Sequence, residues 1–176
     1  MTVVFPEAVT AKGKKKVVIL TTEPASYTAI TAAEATAGVT AGLEATMYFL
    51  GTFAPGGSQN KGNGPARVGE RSQLQRLGLA TYESPSLAYV HDPQGDDTDV
   101  ANKVKAALVP GAEVWIIERA GIDVETALAA TDKYRLHHVE LGEQFFAPSG
   151  DDEFAIEQVT QETGYLTPPV AGVIAA

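Results

Sequence analysis

The sequence predicts a mainly β chain of the α+β kind: a sandwich or barrel with one helix on its flank and extended ends. Three observations predict it. Apolar and polar residues alternate along two long stretches, "DKYRLHHVELGEQF" (132–145) and "DEFAIEQVTQET" (152–163), as they do in half-buried strands. Only "TDVANKVKAALVPG" (98–111) carries a clear helical stripe. The chain begins with a mixed segment and closes on an apolar one with a proline pair.

The elements follow in order. Residues 1–16 read as an N-terminal arm ending in "KGKKK", and "VVILTT" (17–22) as a β-branched strand. After a turn-rich connection, "TAAEATAG" (31–38) has capping-box spacing, Thr31 with Glu34, and predicts a short helix stopped by Gly38. In "VTAGLEATMYFLGTF" (39–53), Leu43, Ala45, Met47 and Phe49 alternate with polar neighbours and predict a strand. Residues 54–69 hold five glycines and two prolines, a composition that predicts a long loop and no regular element. "RSQLQRLGLATYESPSLAYV" (71–90) reads as two short strands.

The helix is expected over 99–109, with Val100, Val104, Ala107 and Leu108 on one stripe, capped by Thr98 or Asp99 and stopped at Pro110-Gly111. "EVWIIERAG" (113–121) is apolar through its centre, which predicts a strand buried on both faces. The two long strands are joined by a turn at "APSGDD". The tail, 164–176, has Pro168-Pro169 and is expected as an edge strand or an extended arm.

A chain of 176 residues with 44% hydrophobic and 20% charged residues is expected to fold as one domain, 1–176. It has no cysteine, hence no disulfide framework or thiolate chemistry. No apolar run approaches the ~20 residues of a membrane-spanning helix. "KKKVVIL" is too short in its apolar part for a signal-peptide core, so a soluble, unsecreted product is expected. The net charge of −9 argues against ordinary nucleic-acid binding, whose affinity comes mainly from neutralised phosphates. That charge is split: +3 over residues 1–82 and −12 over 83–176. If the halves are separate in space, copies would attract each other head to tail.

Chemistry finds no foothold. "YVHDPQGDDTDVANK" (89–103) gathers His91, Asp92, Asp96, Asp97 and Asp99, but it fails as a calcium loop. Counting from Asp92, glycine comes too early at Gly95 and Lys103 stands where a bidentate Glu is required. The acidic residues suit the N-terminus of a following helix, where free N–H groups favour negative charge. His137 and His138, adjacent on a strand, point to opposite faces; one is expected in the core or an interface and the other exposed. "GSQNKGNG" lacks a lysine at the phosphate-loop position, and no nucleophile elbow or dinucleotide fingerprint occurs. No catalytic, metal or cofactor-binding residue is expected, and no enzyme activity.

Three stretches together resemble the major tail proteins of long-tailed, non-contractile bacteriophages, the siphoviruses, especially those of actinobacterial hosts. They are "KVVILTTEPASYTAITAAEATAG", "YVHDPQGDDTDVANKVKAALVPGAEVWIIERAG" and the closing "TPPVAGVIAA". The resemblance implies a β-sandwich-like or barrel-like tail-tube fold with a flanking helix, forming hexameric rings that stack into a tube. Inner sheets of neighbours would pair around a lumen that conducts DNA from capsid to host. The implied partners are further copies of the chain, the tape measure, tail tip and tail terminator proteins, and DNA passing without specific binding; no membrane is implied. The implied location is the virion tail, after synthesis in the host cytoplasm. On this reading Gly56, Gly57, Lys61 and Gly62 belong to an inter-ring loop, and Glu140, Glu143, Glu153 and Glu157 are lumen-facing candidates. The competing readings are another ring-forming tail component, a terminator or hub, and a small monomeric binding module.

Overall fold

The computed structural model describes residues 13–41, 43–50, 53–64, 75–99, 102–148 and 156–176. In chain order the strands are β1 (Lys15–Leu20), β2 (Gly56–Asn63), β3 (Gln75–Glu83), β4 (Leu87–Val90), β5 (Glu113–Ala120), β6 (Lys133–Pro148), β7 (Glu157–Tyr165) and β8 (Val170–Val173). Two helices accompany them, α1 (Ala32–Thr40) and α2 (Lys103–Ala107). Six strands form one curled antiparallel sheet in the order β1-β5-β6-β7-β4, with β8 lying beside the start of β6. β2 and β3 form a separate two-stranded ribbon. The fold is mainly β, as the sequence predicts; it is a curled half-barrel whose main helix is α1, not the helix expected over 99–109.

The sheet has a core on each face, and this explains the continuous apolar centre of β5. On one face Val17, Ile19, Val114, Ile116, Val139 and Val159 meet Val104 and Leu108 of the α2 region. On the other, Val18, Trp115, Ile117, Tyr134 and Leu136 meet Ala35 of α1 together with Ile30 and Ile174. Each large aliphatic buried in this way contributes roughly 1.5–3 kcal/mol. His137 and His138 point to opposite faces as alternation requires. Both are buried, at 1% and 9% exposure, which corrects the expectation that one would face solvent.

Residues 43–50 do not form the expected strand. They bend through a 3-10 turn at Ala45–Met47, leaving Met47 exposed. Their hydrogen bonds give the reason. The Leu43 carbonyl accepts from the Ile19 N–H at 3.0 Å, and the Thr46 hydroxyl accepts from the Val17 N–H at 2.9 Å, on the free edge of β1. A few residues on, the Leu50 N–H donates to Ala88 at 2.7 Å and the Tyr48 carbonyl accepts from Val90 at 2.9 Å, on the free edge of β4. One segment therefore seals both outer edges of the sheet, which would otherwise invite pairing with another chain. A straight strand could reach only one of them.

α1 carries the expected capping box: the Thr31 hydroxyl accepts from the Glu34 N–H, and the Glu34 carboxylate accepts from the Thr31 N–H. Gly38 is not its stop, because the helix runs on to Thr40. Glycine is needed there for close approach: a Cβ would lie 2.6 Å from Val18 Cγ1 and 2.9 Å from the Ile19 carbonyl. α2 is shorter than the 99–109 expected. Val104 and Leu108 are buried as the stripe predicts, but Val100 lies outside the described residues.

The tail resolves as an edge strand. β8 pairs with Lys133–Leu136, its Val173 N–H donates to Thr28, and the Ala175 N–H donates to Ile30 at 2.8 Å. At the other end, Lys15 and Lys16 belong to β1 and not to an arm; residues 1–12 lie outside the described residues.

The glycine-rich segment is the largest correction. Residues 56–63 form β2 and pair with β3 from Gly56↔Glu83 to Asn63↔Gln75. The composition argument fails because it applies to strands that must bury a face, and every residue of this ribbon is exposed. The remainder of the expected loop, 65–69, lies outside the described residues.

Candidate functional site

The ribbon sets Gly56, Gly57, Lys61 and Gly62 opposite Glu83, Tyr82, Leu77 and Arg76 respectively. A register shift between Gln59 and Lys61 decides which side chains share a face. Lys61 and Leu77, Gln59 and Ala80, and Gly57 and Tyr82 are direct cross-strand partners, and pleating puts all three pairs on one side. That side therefore carries Leu77 and Tyr82, 66% and 49% exposed, beside a lysine. Leu79 is 80% exposed at the shift. An isolated two-stranded ribbon is marginal in water, and one rich in glycine more so. This one exposes apolar residues that nothing among the described residues covers.

Its root is held by a buried polar network. Lys15 Nζ donates to the Phe53 carbonyl at 2.8 Å and pairs with Glu118 at 2.7 Å. His137 joins them, Nε2 at 3.2 Å from Glu118 and Nδ1 at 2.8 Å from the Tyr165 hydroxyl, while its ring packs edge-on against Phe53. Burial on its own would raise the Glu118 carboxyl, but hydrogen bonds from His137 and Lys15 and the lysine charge outweigh it and hold it at about 2. Burial, with the nearby Glu118 charge, pushes the Tyr165 hydroxyl up to about 12.

Of the acidic candidates, Glu140, Glu143 and Glu157 are exposed, and Glu153 lies outside the described residues. They do not share a face. Glu140 follows Leu136 and His138 on the side of α1, whereas Glu157 alternates with Val159 on the side of α2. Glu143 sits at the shift between Leu141 and Gln144. The structure brings together a different set. Glu113 is the direct partner of Glu140, Glu140 is the partner of Gly164, and Glu162 lies two residues along β7 on the same side.

α1 covers this face only toward Tyr134 and Leu136; from Glu140 onward, across β7 and β4, no helix among the described residues packs on it. The face continues through Phe145, Thr160 and Ala88 and carries no lysine or arginine among the described residues. Glu113 and Glu162 were legible only in principle: strand alternation places Glu113 with Trp115, but the row needs the register of three strands.

The Asp-rich loop is organised by Asn102, fully buried. Its Oδ1 accepts from the Asp92 N–H at 3.0 Å, and its Nδ2 donates to the carbonyls of Asp92 and Gly95 at 3.0 and 2.9 Å. Asp92 and Asp99 accept from the N–H groups of Gln94 and Asp96, closing turns. Among the described residues, no three His, Asp or Glu side chains are placed to hold a metal ion.

Comparison with known proteins settles what kind of molecule carries these surfaces. A family model described as phage tail tube protein matches residues 3–175, nearly the whole chain. The chain belongs to that family. No curated protein matches it. A tail tube protein is a structural component of the virion tail, not an enzyme, and assembles with itself into a tube. The exposed ribbon and the acidic row of this tail tube protein are therefore features of a structural subunit.

Proposed function

We propose that this tail tube protein forms hexameric rings that stack into the tail of a siphovirus and conduct DNA from capsid to host during ejection. In this reading the open face of β6, β7 and β4 lines the lumen, and the β2–β3 ribbon, with Gly56, Gly57, Lys61 and Gly62, connects rings. The tape measure protein would occupy the lumen before ejection, with tip and terminator proteins at the two ends. The subunit, made in the host cytoplasm, would function in the virion.

The observation that carries the reading is the exposed row Glu113, Glu140 and Glu162 on one face of the sheet. Like charges directly opposite each other on a sheet are destabilising, so the row works against the subunit's own folding. A wall that must let phosphates slide gives it a purpose, since cations there would hold DNA through counterion release. The β6 extension, residues 142–148, pairs only with β7 among the described residues, which leaves an edge for a neighbour's sheet.

Electron microscopy of the concentrated protein tests the assembly: hollow tubes are expected, and single rings that never stack would favour a terminator or hub. A stable monomer in the presence of tail-tip components would favour a binding module instead. For the conduit, Glu140→Lys with Glu162→Lys should leave tubes intact and slow DNA ejection; unchanged ejection kinetics would remove the lumen assignment.

A further inference from the structure

A groove of about 420 Å³ lies between α1 and the chain leaving β1. Leu20, Pro24, Ala37 and Leu43 contribute to its largely apolar lining, and Glu23 and Glu34 stand at it with carboxylates that have no cationic partner among the described residues. Hydrogen bonds from the N–H groups of Ala25 and Thr31 and from the Thr31 hydroxyl hold the Glu34 carboxyl below its ordinary range, so it stays charged. The ribbon offers the complement. Leu77 projects 66% exposed, Lys61 stands directly opposite on the same side, and Lys61 has no ion-pair partner among the described residues.

We propose that the β2–β3 ribbon of one copy seats Leu77 in the α1–β1 groove of the next, with Lys61, on the same side of the ribbon, against the Glu23 and Glu34 rim. The proposal rests on the tube reading and specifies one of its contacts. Apolar floor and acidic rim match an exposed leucine with a lysine beside it, so packing and charge favour the same occupant. Electrostatic complementarity also fixes register and suppresses wrong partners.

The placement of the two surfaces determines what the contact builds. The ribbon root lies on the α2 side of the sheet, where Pro55 and Gly56 adjoin Arg135 and His137. The groove lies across the sheet, under α1, where Gly38 touches Val18 and Leu20. Donor and acceptor are different patches, so the contact is heterologous and repeats from copy to copy. Ribbon and groove both fall in the basic half of the sequence. The groove's acidic rim is a local exception within that half, so the split by itself does not locate the contact.

Cysteine pairs test it, because the chain has none of its own. The double variant Leu77→Cys/Ala37→Cys, both at exposed positions, should assemble and on oxidation give a ladder of disulfide-linked multimers. Leu77→Cys with Val109→Cys, exposed but distant from the groove, should not. Assembled tubes of the first variant without intermolecular disulfides overturn the contact, as does a disulfide closed within one chain. A wild-type chain that forms no tubes overturns the tube reading and this contact with it.

A second variant separates docking from folding. Leu77→Asp should keep the wild-type melting temperature and raise the protein concentration needed for tubes by about tenfold or more, the burial of one leucine. Tubes at the wild-type concentration would sink the proposal.

Discussion

The sheet around β5 and the ribbon of β2 and β3 are made of the same kind of element and treat water in opposite ways. Around β5 both faces are covered, and both outer edges of the sheet are sealed by residues 43–50. In the ribbon both faces are exposed, and neither edge pairs with a further strand among the described residues. The difference divides the subunit's energetics. The sheet holds the subunit together; the ribbon, exposed along its whole length, adds little to it.

That division can be broken most sharply at Ile116, fully buried in the core on the α2 side. Ile116→Ala should cost roughly 2–5 kcal/mol through lost burial and the cavity left behind. Deleting 56–64 should leave the melting temperature of the monomer nearly unchanged while weakening stacking. Urea unfolding of both variants checks the contrast. A ribbon deletion that destabilises the monomer as much as Ile116→Ala would show the division to be false.

Acid sharpens the comparison at the boundary between the two regions. The folded Glu118 carboxyl at about 2 lies below its ordinary value of 4.5. A depressed carboxyl contributes stability that is fully present above about 4.5 and is lost as pH falls through that value toward about 2. The amount is on the order of 3 kcal/mol. Unfolding free energy measured from pH 6 to pH 2 should therefore fall less steeply in Glu118→Gln than in the wild type. Parallel pH profiles would mean that the network under Phe53 does not hold the ribbon root through this charge.

How much of this was legible in the sequence depends on how local each cause is. β5 could be read from "VWIIER" because burial on both faces leaves an apolar run that needs no knowledge of partners. The α1 capping box is local too, as Thr31 and Glu34 satisfy each other. Residues 43–50 were misread because alternation reports which side chains face inward, not that the backbone must serve β1 and β4 at opposite edges. α2 was overextended because the buried role of Asn102 gathers the Asp92–Asp96 backbone around it, and such convergence leaves no periodic trace. The ribbon was missed because glycine and asparagine argue against strands only where a side-chain face must be buried. The acidic row was half found: Glu140 was singled out, but its partners Glu113 and Glu162 are set by cross-strand register.

The smallest expected effect gives the finest test of that row. Glu140 stands directly opposite Glu113, with Glu162 on the same side, and among the described residues only Glu113 has a compensating contact, His138 Nε2 at 3.1 Å. Replacing Glu140→Gln removes the repulsion and keeps the strand's shape and polarity. The monomer should gain roughly 0.2–1 kcal/mol, the usual size of a cross-strand pair term, and the gain should shrink at high salt. Thr36→Gln, on the exposed side of α1, supplies the baseline for a neutral surface change. If Glu140→Gln stabilises the monomer, a charge that weakens the fold is being retained, and its use must lie outside the monomer. If stability is unchanged or falls, the row is an ordinary solvated surface and the lumen assignment loses its main support.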